Sequence, residues 1–336
     1  MIFSPKSIGY YCIADIRDAV TLIRHAKMAE RAGFSAIWIS DHFHPWFNTK
    51  AYESQAWVWM ASAMSEVKSI PFGTFVTTPL FRYHPGIAAQ AFATMEAIYG
   101  RRVIMGIGTG EAMNELPLGY TWPSVKERRE RLIEAVDLIR ALWTKDFVNF
   151  QGTYYQLNSA NLYMRANVPI FIAAFGPKMG KVVGALGDGL ITSVRPMDYF
   201  KKTLFPAIEE GAKSVGRSID DIEKVLEIDV SFADSYEEAI SSARCWKAGL
   251  LPELFKNPIA DPRTIESMGL QRVTDQALAE AYVISTNPDD HIAKIEEAFN
   301  TNFDHICLFS TSPDEEKTIE MYAKKILPYF KSSGNK

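Results

Sequence analysis

The sequence predicts a (β/α)₈ TIM barrel, formed as a single domain over residues 1–336. Three observations lead there. Eight short Ile- and Val-rich runs recur along the chain, nearly continuous in hydrophobicity, as parallel strands buried on both faces are. Helical patterns separate them. No Pro/Gly/Ser-rich linker divides the chain. An open, doubly wound sheet has the same alternation and is the competing architecture.

The strands are expected at 8–12, 36–40, 72–77, 103–108, 170–174, 189–193, 225–231 and 305–310. The intervening helices carry readable ends. Residues 18–32 have helical spacing and stop at Gly33, a residue type that closes helices in the left-handed region. Residues 85–99 begin with Pro85 in the first turn and end at Gly100. In 124–143, Leu132, Val136, Ile139 and Leu142 form the inner face, and the charges of 126–131 read as a solvated face or interface. Two crossovers exceed what a helix needs, giving insertions after the fourth and seventh strands. Residues 109–168 hold FVNFQGTYYQL, which alternates like a small hairpin, and 232–304 hold Pro252, Pro258 and Pro262. Such inserts build substrate pockets or dimer faces.

Composition narrows the function. Net charge is −4 with both signs interspersed, so nucleic acid and anionic membrane are unfavoured partners. Cys12, Cys245 and Cys307 are far apart, without CxxC or Cys/His clustering. Neither a disulfide framework nor a metal site is expected, and a reducing cytoplasm fits. The first residues lack the pattern of a signal peptide, and no apolar run approaches the ~20 residues of a membrane span.

In a barrel the chemistry sits at the C-terminal ends of the strands. After the second strand come Asp41, His42, Phe43, His44, Pro45 and Trp46. After the third come Thr77, Thr78 and Pro79. After the fourth come Thr109, Gly110, Glu111, Ala112, Met113 and Asn114. Phe175, Gly176, Pro177 and Lys178 follow the fifth, and Val194 and Arg195 the sixth. Acid, base, aromatic and glycine thus converge on one rim. Gly106, Gly108 and Gly110 permit close approach of a ligand, but a dinucleotide fingerprint would need a further glycine at Met113.

Taken singly, these residues have ordinary structural readings. His42 could close a strand end, Glu111 could cap the next helix, and Trp46 could pack. Their convergence favours function. His44 reads as structural or supporting, and Trp57 and Trp59 as core or pocket wall. Arg101 and Arg102 read as surface.

Four motifs carry a resemblance: GFSAIWISDHFHPW (33–46), TPLFRYHPGIAAQAFATM (78–95), GIGTGEAMNE (106–115) and FQGTYYQL (150–157). With them the chain resembles the F420-dependent branch of the bacterial-luciferase-like superfamily over nearly its whole length. The likeness is to the F420-dependent secondary-alcohol and sugar-phosphate dehydrogenases more than to the FMN monooxygenases. It implies a homodimeric dehydrogenase using coenzyme F420 as hydride acceptor. His42 would be the general base toward a substrate hydroxyl, an imidazole titrating near neutrality without a large shift. Glu111 would manage the second proton, and Trp46 would wall the substrate pocket. Asp41 and Asn114 would hold the deazaflavin, with Thr78, Thr109 and Gly110 beside it. Phe75–Val76 falls where the family places a non-prolyl cis peptide under the ring. Phe175, Gly176, Pro177 and Lys178 match a phosphate-binding loop, in which backbone N–H groups at a helix start meet the anion.

The substrate is less legible. Of three basic positions that grip phosphate in the sugar-phosphate enzymes, two fall on Arg195 and Lys256. The third falls on Ala281, which has no charge to offer. A secondary alcohol or similar hydroxyl compound is therefore expected, with a sugar phosphate as the alternative. Asp15 stands where the family has a glutamate, one methylene longer. Reduction of a methylene-pterin, an FMN monooxygenase activity, and a non-catalytic flavin-binding role are the remaining readings. The HPW and GTGE motifs weigh against the first, and the intact His42, Trp46 and Glu111 set against the last.

Overall fold

A computed structural model describes residues 2–193 and 195–333. Eight parallel strands form the barrel: β1 (Ser7–Cys12), β2 (Ile37–Ile39), β3 (Phe72–Thr74), β4 (Val103–Ile107), β7 (Ile170–Ala173), β8 (Gly189–Ser193), β9 (Glu223–Phe232) and β11 (His305–Ser310). Each pairs with the next around the ring, with β11 seated between β9 and β1, and the β8–β9 pairing closes it. The open-sheet alternative is thereby excluded. β5 (Val148–Gln151) and β6 (Gln156–Ala160) are the small antiparallel hairpin expected in the first insert.

The helix ends behave as their residue types require. Asp18 accepts N–H bonds from Val20 and Thr21, and Gly33 closes helix Ala19–Ala32 at φ 96°. Ser124 caps helix Val125–Thr144 through Glu127. Arg128 of that helix is a correction to the solvated face. It is buried, stacks 3.9 Å over Trp122, and donates to the carbonyls of Pro123 and Phe255. Arg102 likewise turns inward to the carbonyls of Val67 and Ile70.

Most strand ends fall within two residues of expectation, and two larger differences remain. β3 ends at Thr74, the Phe75–Val76 peptide that follows is cis, and Thr77 rejoins through a bridge to Ile107. The second insert adds β10 (Val283–Ser285), which extends the sheet beside the end of β9. Three-residue strands give little periodicity to read.

Alternation along the strands separates two cores. Met105, Ile172, Leu226, Ile228 and Leu308 face outward to the helices. Trp38, Ile104, Phe171, Val225 and Cys307 face the lumen. The N-terminal end of the lumen is plugged. His305 hydrogen-bonds Ser7 at 2.7 Å and Trp38 at 3.0 Å and stacks on Phe3. A Cβ at Gly73 would lie 2.4 Å from the Trp38 ring, so glycine admits the indole. Burial lowers His305 to about 3, so it remains neutral in the plug. The other end of the barrel therefore holds the site. Among the described residues no helix is long and apolar enough to cross a membrane.

Gly106 shows how closely the sheet is packed below that site. A Cβ there would stand 1.8 Å from the Thr74 carbonyl oxygen, a backbone atom that cannot swing away. The Gly106→Ala variant is expected to lose about 1–3 kcal/mol of stability, the usual range for overpacking, as read by urea denaturation. An unchanged midpoint would contradict the close approach.

Candidate active site

Three strand ends meet around His42. The imidazole follows β2 and is nearly enclosed. Its Nε2 lies 3.4 Å from Glu111 Oε2, beyond the end of β4, and its Nδ1 lies 3.4 Å from Asp15 Oδ1, beyond the end of β1. Glu53 Oε2 adds a second carboxylate 3.8 Å from Nδ1. The segment bearing Glu53 is drawn over the strand end by Tyr52 N–H donating to the Asp15 carbonyl. Asp15 Oδ2, His42 Nδ1 and Glu53 Oε2 are buried without a hydrogen-bond partner among the described residues.

These surroundings change the acid–base state expected from sequence. Burial pushes the His42 imidazole down, but the carboxylates of Asp15, Glu111 and Glu53 outweigh it and hold it at about 10. Burial raises Glu111 despite the His42 charge, and burial with Asp15 raises Glu53. The cluster therefore keeps a proton on His42 at neutral pH; the residue does not titrate near its ordinary value. Asp15, His42 and Glu53 bring a nitrogen and two oxygens within 4.8 Å of one another, a spacing also seen around metals. The raised His42 imidazole brings positive charge to the same cluster.

Neighbouring residues fix these groups. Asn114 donates to Glu111 at 3.1 Å and accepts from Phe43 N–H at 2.8 Å, tying the β4 and β2 ends together. Glu111 occupies the cap position of helix Ala112–Glu115 but makes no capping bond; its carboxylate turns to His42. Trp46 N–H donates to Asp15 at 2.9 Å, and the ring lies edge-on to His42 and against Phe255.

Asp41 is fully buried, and both its carboxylate oxygens are taken. Arg82 pairs with Oδ1 at 3.0 Å, Tyr83 donates to the same oxygen, and Thr77 donates to Oδ2. Trp57 in turn donates to Thr77 at 3.2 Å and stacks on Tyr83. Arg82 also faces Glu115, which burial raises to about 7. Sequence reading assigned Arg82 no role, although it stands inside the TPLFRYHPG motif. A cation among apolar and aromatic residues was the available signal.

The remaining expectations divide. Tyr11 O–H holds the Phe75 carbonyl at 2.8 Å, beside the cis peptide expected there. Gly110 takes φ 80° against Thr78, and Thr109 is half-buried beside it. Gly176 opens the ten-residue helix Pro177–Leu186 without a side-chain cap, and nothing lies within 4 Å of where its Cβ would stand. Phe175 and Lys178 are exposed at that helix start, with the Phe175 carbonyl held by Tyr199. Arg195 and Lys256 are also exposed, and no contact ties either to the His42 cluster. His44 is structural, its Nδ1 3.2 Å from the Ala260 carbonyl, and Trp59 donates to the Ala19 carbonyl in the core.

A family model for luciferase-like monooxygenases matches residues 5–305. The chain belongs to this luciferase-like family. Within it, the chain is 35% identical over 331 residues to an F420-dependent glucose-6-phosphate dehydrogenase of Amycolatopsis mediterranei (strain U-32), covering 97% of this chain and 99% of that one. The enzyme of the same name from Nakamurella multipartita is 36% identical over 327 residues, with 96% of each chain covered. An F420-dependent secondary alcohol dehydrogenase, solved in complex with an F420-acetone adduct, matches with a TM-score of 0.94 at 34% identity, over 98% of this chain and 99% of that one. The luciferase-like family and its F420-dependent relatives are those expected from the four motifs.

Proposed function

We propose that this enzyme is an F420-dependent dehydrogenase acting on a hydroxyl-bearing carbon, a secondary alcohol or similar compound. The His42–Glu111 pair at the open end of a luciferase-like barrel carries the reading. The residues fit the cofactor. Helix Pro177–Leu186 presents uncapped N–H groups at Gly176, suited to phosphate, and Lys178 adds charge toward an acidic tail. Thr78, Thr109 and Gly110 line the approach to the ring. When bound, F420 supplies the hydride acceptor at C5.

The chain's own residues then handle position and protons. Trp46 walls the substrate pocket. Oxidation of the carbinol to a carbonyl releases a proton from oxygen as the hydride leaves carbon. Neutral His42 receives that proton at Nε2, and in the reverse direction the imidazolium returns it. Asn114 orients Glu111, whose raised carboxyl can hold a second proton. Asp41 acts through Thr77 and Arg82, as a positioning residue beneath the ring site. The three cysteines are free, consistent with a cytoplasmic enzyme, and the long insert after β9 supplies surface for a homodimer.

The test is an assay of F420 reduction by secondary alcohols, and of the reverse ketone reduction, across pH. His42 retains its proton until about 10. Ketone reduction should therefore hold through neutrality and fall above it, while alcohol oxidation rises over the same range. Asp15 is the leading carboxylate that lifts His42, so Asp15→Asn should move both limbs down toward the ordinary imidazole value, ~6.5. Coincident profiles for wild type and variant would contradict the assignment. A sugar phosphate is the second reading, supported by the names of the two relatives above. Clear preference for glucose 6-phosphate over isopropanol would establish it in place of the first.

A further inference from the structure

Two carboxylates in the barrel have no part in the chemistry above. β9 places Val225, Glu227 and Asp229 on one face, and Val225 belongs to the lumen core. In register beside them on β11 stand Cys307 and Phe309, also lumen residues. Glu227 and Asp229 therefore point into the barrel, toward the C-terminal end where His42 lies. Both are half-buried, and among the described residues neither accepts a hydrogen bond nor pairs with a cation.

Electrostatics locates them with respect to the catalytic groups. Burial and then Asp229 raise Glu227, which also feels Glu111 and His42. Burial raises Asp229 to about 7. Asp229 and Glu227 both act on the Tyr282 phenol. Tyr282 is only 8% exposed, yet its hydroxyl makes no hydrogen bond among the described residues. Tyr282 thus brings a buried hydroxyl, without a partner among the described residues, to the same part of the lumen as the two carboxylates. Trp246 gives a second orphan: its indole N–H is buried without an acceptor among the described residues, and the ring packs edge-on to Phe309, the strand neighbour of Asp229.

An unpaired carboxylate in an enclosed site is costly unless it is protonated or meets a cation. A phosphate placed here would add negative charge beside Glu227, Asp229 and Glu111. An ammonium group would instead neutralise the acids and rest on aromatic faces, the usual surroundings of a bound organic cation. We propose that Glu227 and Asp229 form the specificity end of the substrate pocket, and that the substrate is a hydroxyl compound carrying a positively charged amine. This rests on the dehydrogenase reading above and narrows its substrate class.

A matched pair of alcohols tests it: isopropanol and 1-amino-2-propanol, which differ by one ammonium group. With F420 as acceptor, kcat/KM for the amino alcohol should exceed that for isopropanol by tenfold or more. In Glu227→Gln/Asp229→Asn that ratio should fall by tenfold or more, with circular dichroism and F420 binding reporting that the variant is folded. Should the variant not fold, isopropylammonium is the second probe. It should inhibit isopropanol oxidation by the wild-type enzyme competitively, at concentrations below the isopropanol KM. A ratio near one, a ratio insensitive to the two substitutions, or no inhibition by isopropylammonium overturns the proposal. A preference for glucose 6-phosphate also overturns it while leaving the dehydrogenase reading intact. Tight F420 binding without turnover of any alcohol or sugar phosphate defeats the dehydrogenase reading, and this proposal with it.

Discussion

In the His42→Ala variant, kcat for alcohol oxidation is expected to drop by about 10²–10⁴-fold, the usual contribution of a positioned general acid or base. His42 faces carboxylates on both ring nitrogens, with Glu111 on one side and Asp15 and Glu53 on the other. No neighbouring group can take over at its position. The loss should lie in kcat, because Thr78, Thr109, Gly110 and the helix start at Gly176, all expected to line the F420 site, stand on other loops. Single-turnover kinetics with saturating F420 separates the two terms. Full turnover by the variant would remove His42 from the mechanism.

The Arg82→Met variant is expected to lose about 3–5 kcal/mol of stability, the cost of leaving a buried ionic partner uncompensated. Arg82 is 5% exposed at its side chain and stands between Asp41 and Glu115, both with fully buried side chains. It also donates to the Asp41 carbonyl and stacks on Tyr83. Methionine fills much of the volume but leaves two carboxylates facing each other. Because Asp41 also engages Thr77, the neighbour of Thr78 at the expected ring site, F420 affinity should fall with stability. Urea denaturation with and without F420 measures both. A loss below ~1 kcal/mol would mean that water or rearrangement satisfies the pair.

Much of this arrangement was legible in the sequence. Short, nearly continuous apolar runs located the barrel strands, since strands buried on both faces need continuous hydrophobicity. The rim residues His42, Glu111, Asn114 and Asp41 followed from strand ends and motifs. What escaped was what side chains do across space. Glu53 lies in an irregular segment with no periodicity, and only the fold brings it to His42. The protonation of His42 depends on three carboxylates from three separate loops. Glu227 and Asp229 could have been found: two acids spaced by two in an apolar strand must share one face, and that face had to be the lumen or the helices. Arg128 was read from the charge run 126–131, where helical spacing in fact turns one of the arginines inward. β3 was read too long because its apolar run continues past Thr74, where the ladder stops.

The most direct test of the account is a fluorescence titration of the purified protein with F420 and, separately, with FMN. The account expects saturable binding of F420 with at least tenfold preference over FMN, retained in His42→Ala. Preference for FMN would place the chain with the monooxygenases of its family and remove the basis for hydride transfer to a deazaflavin.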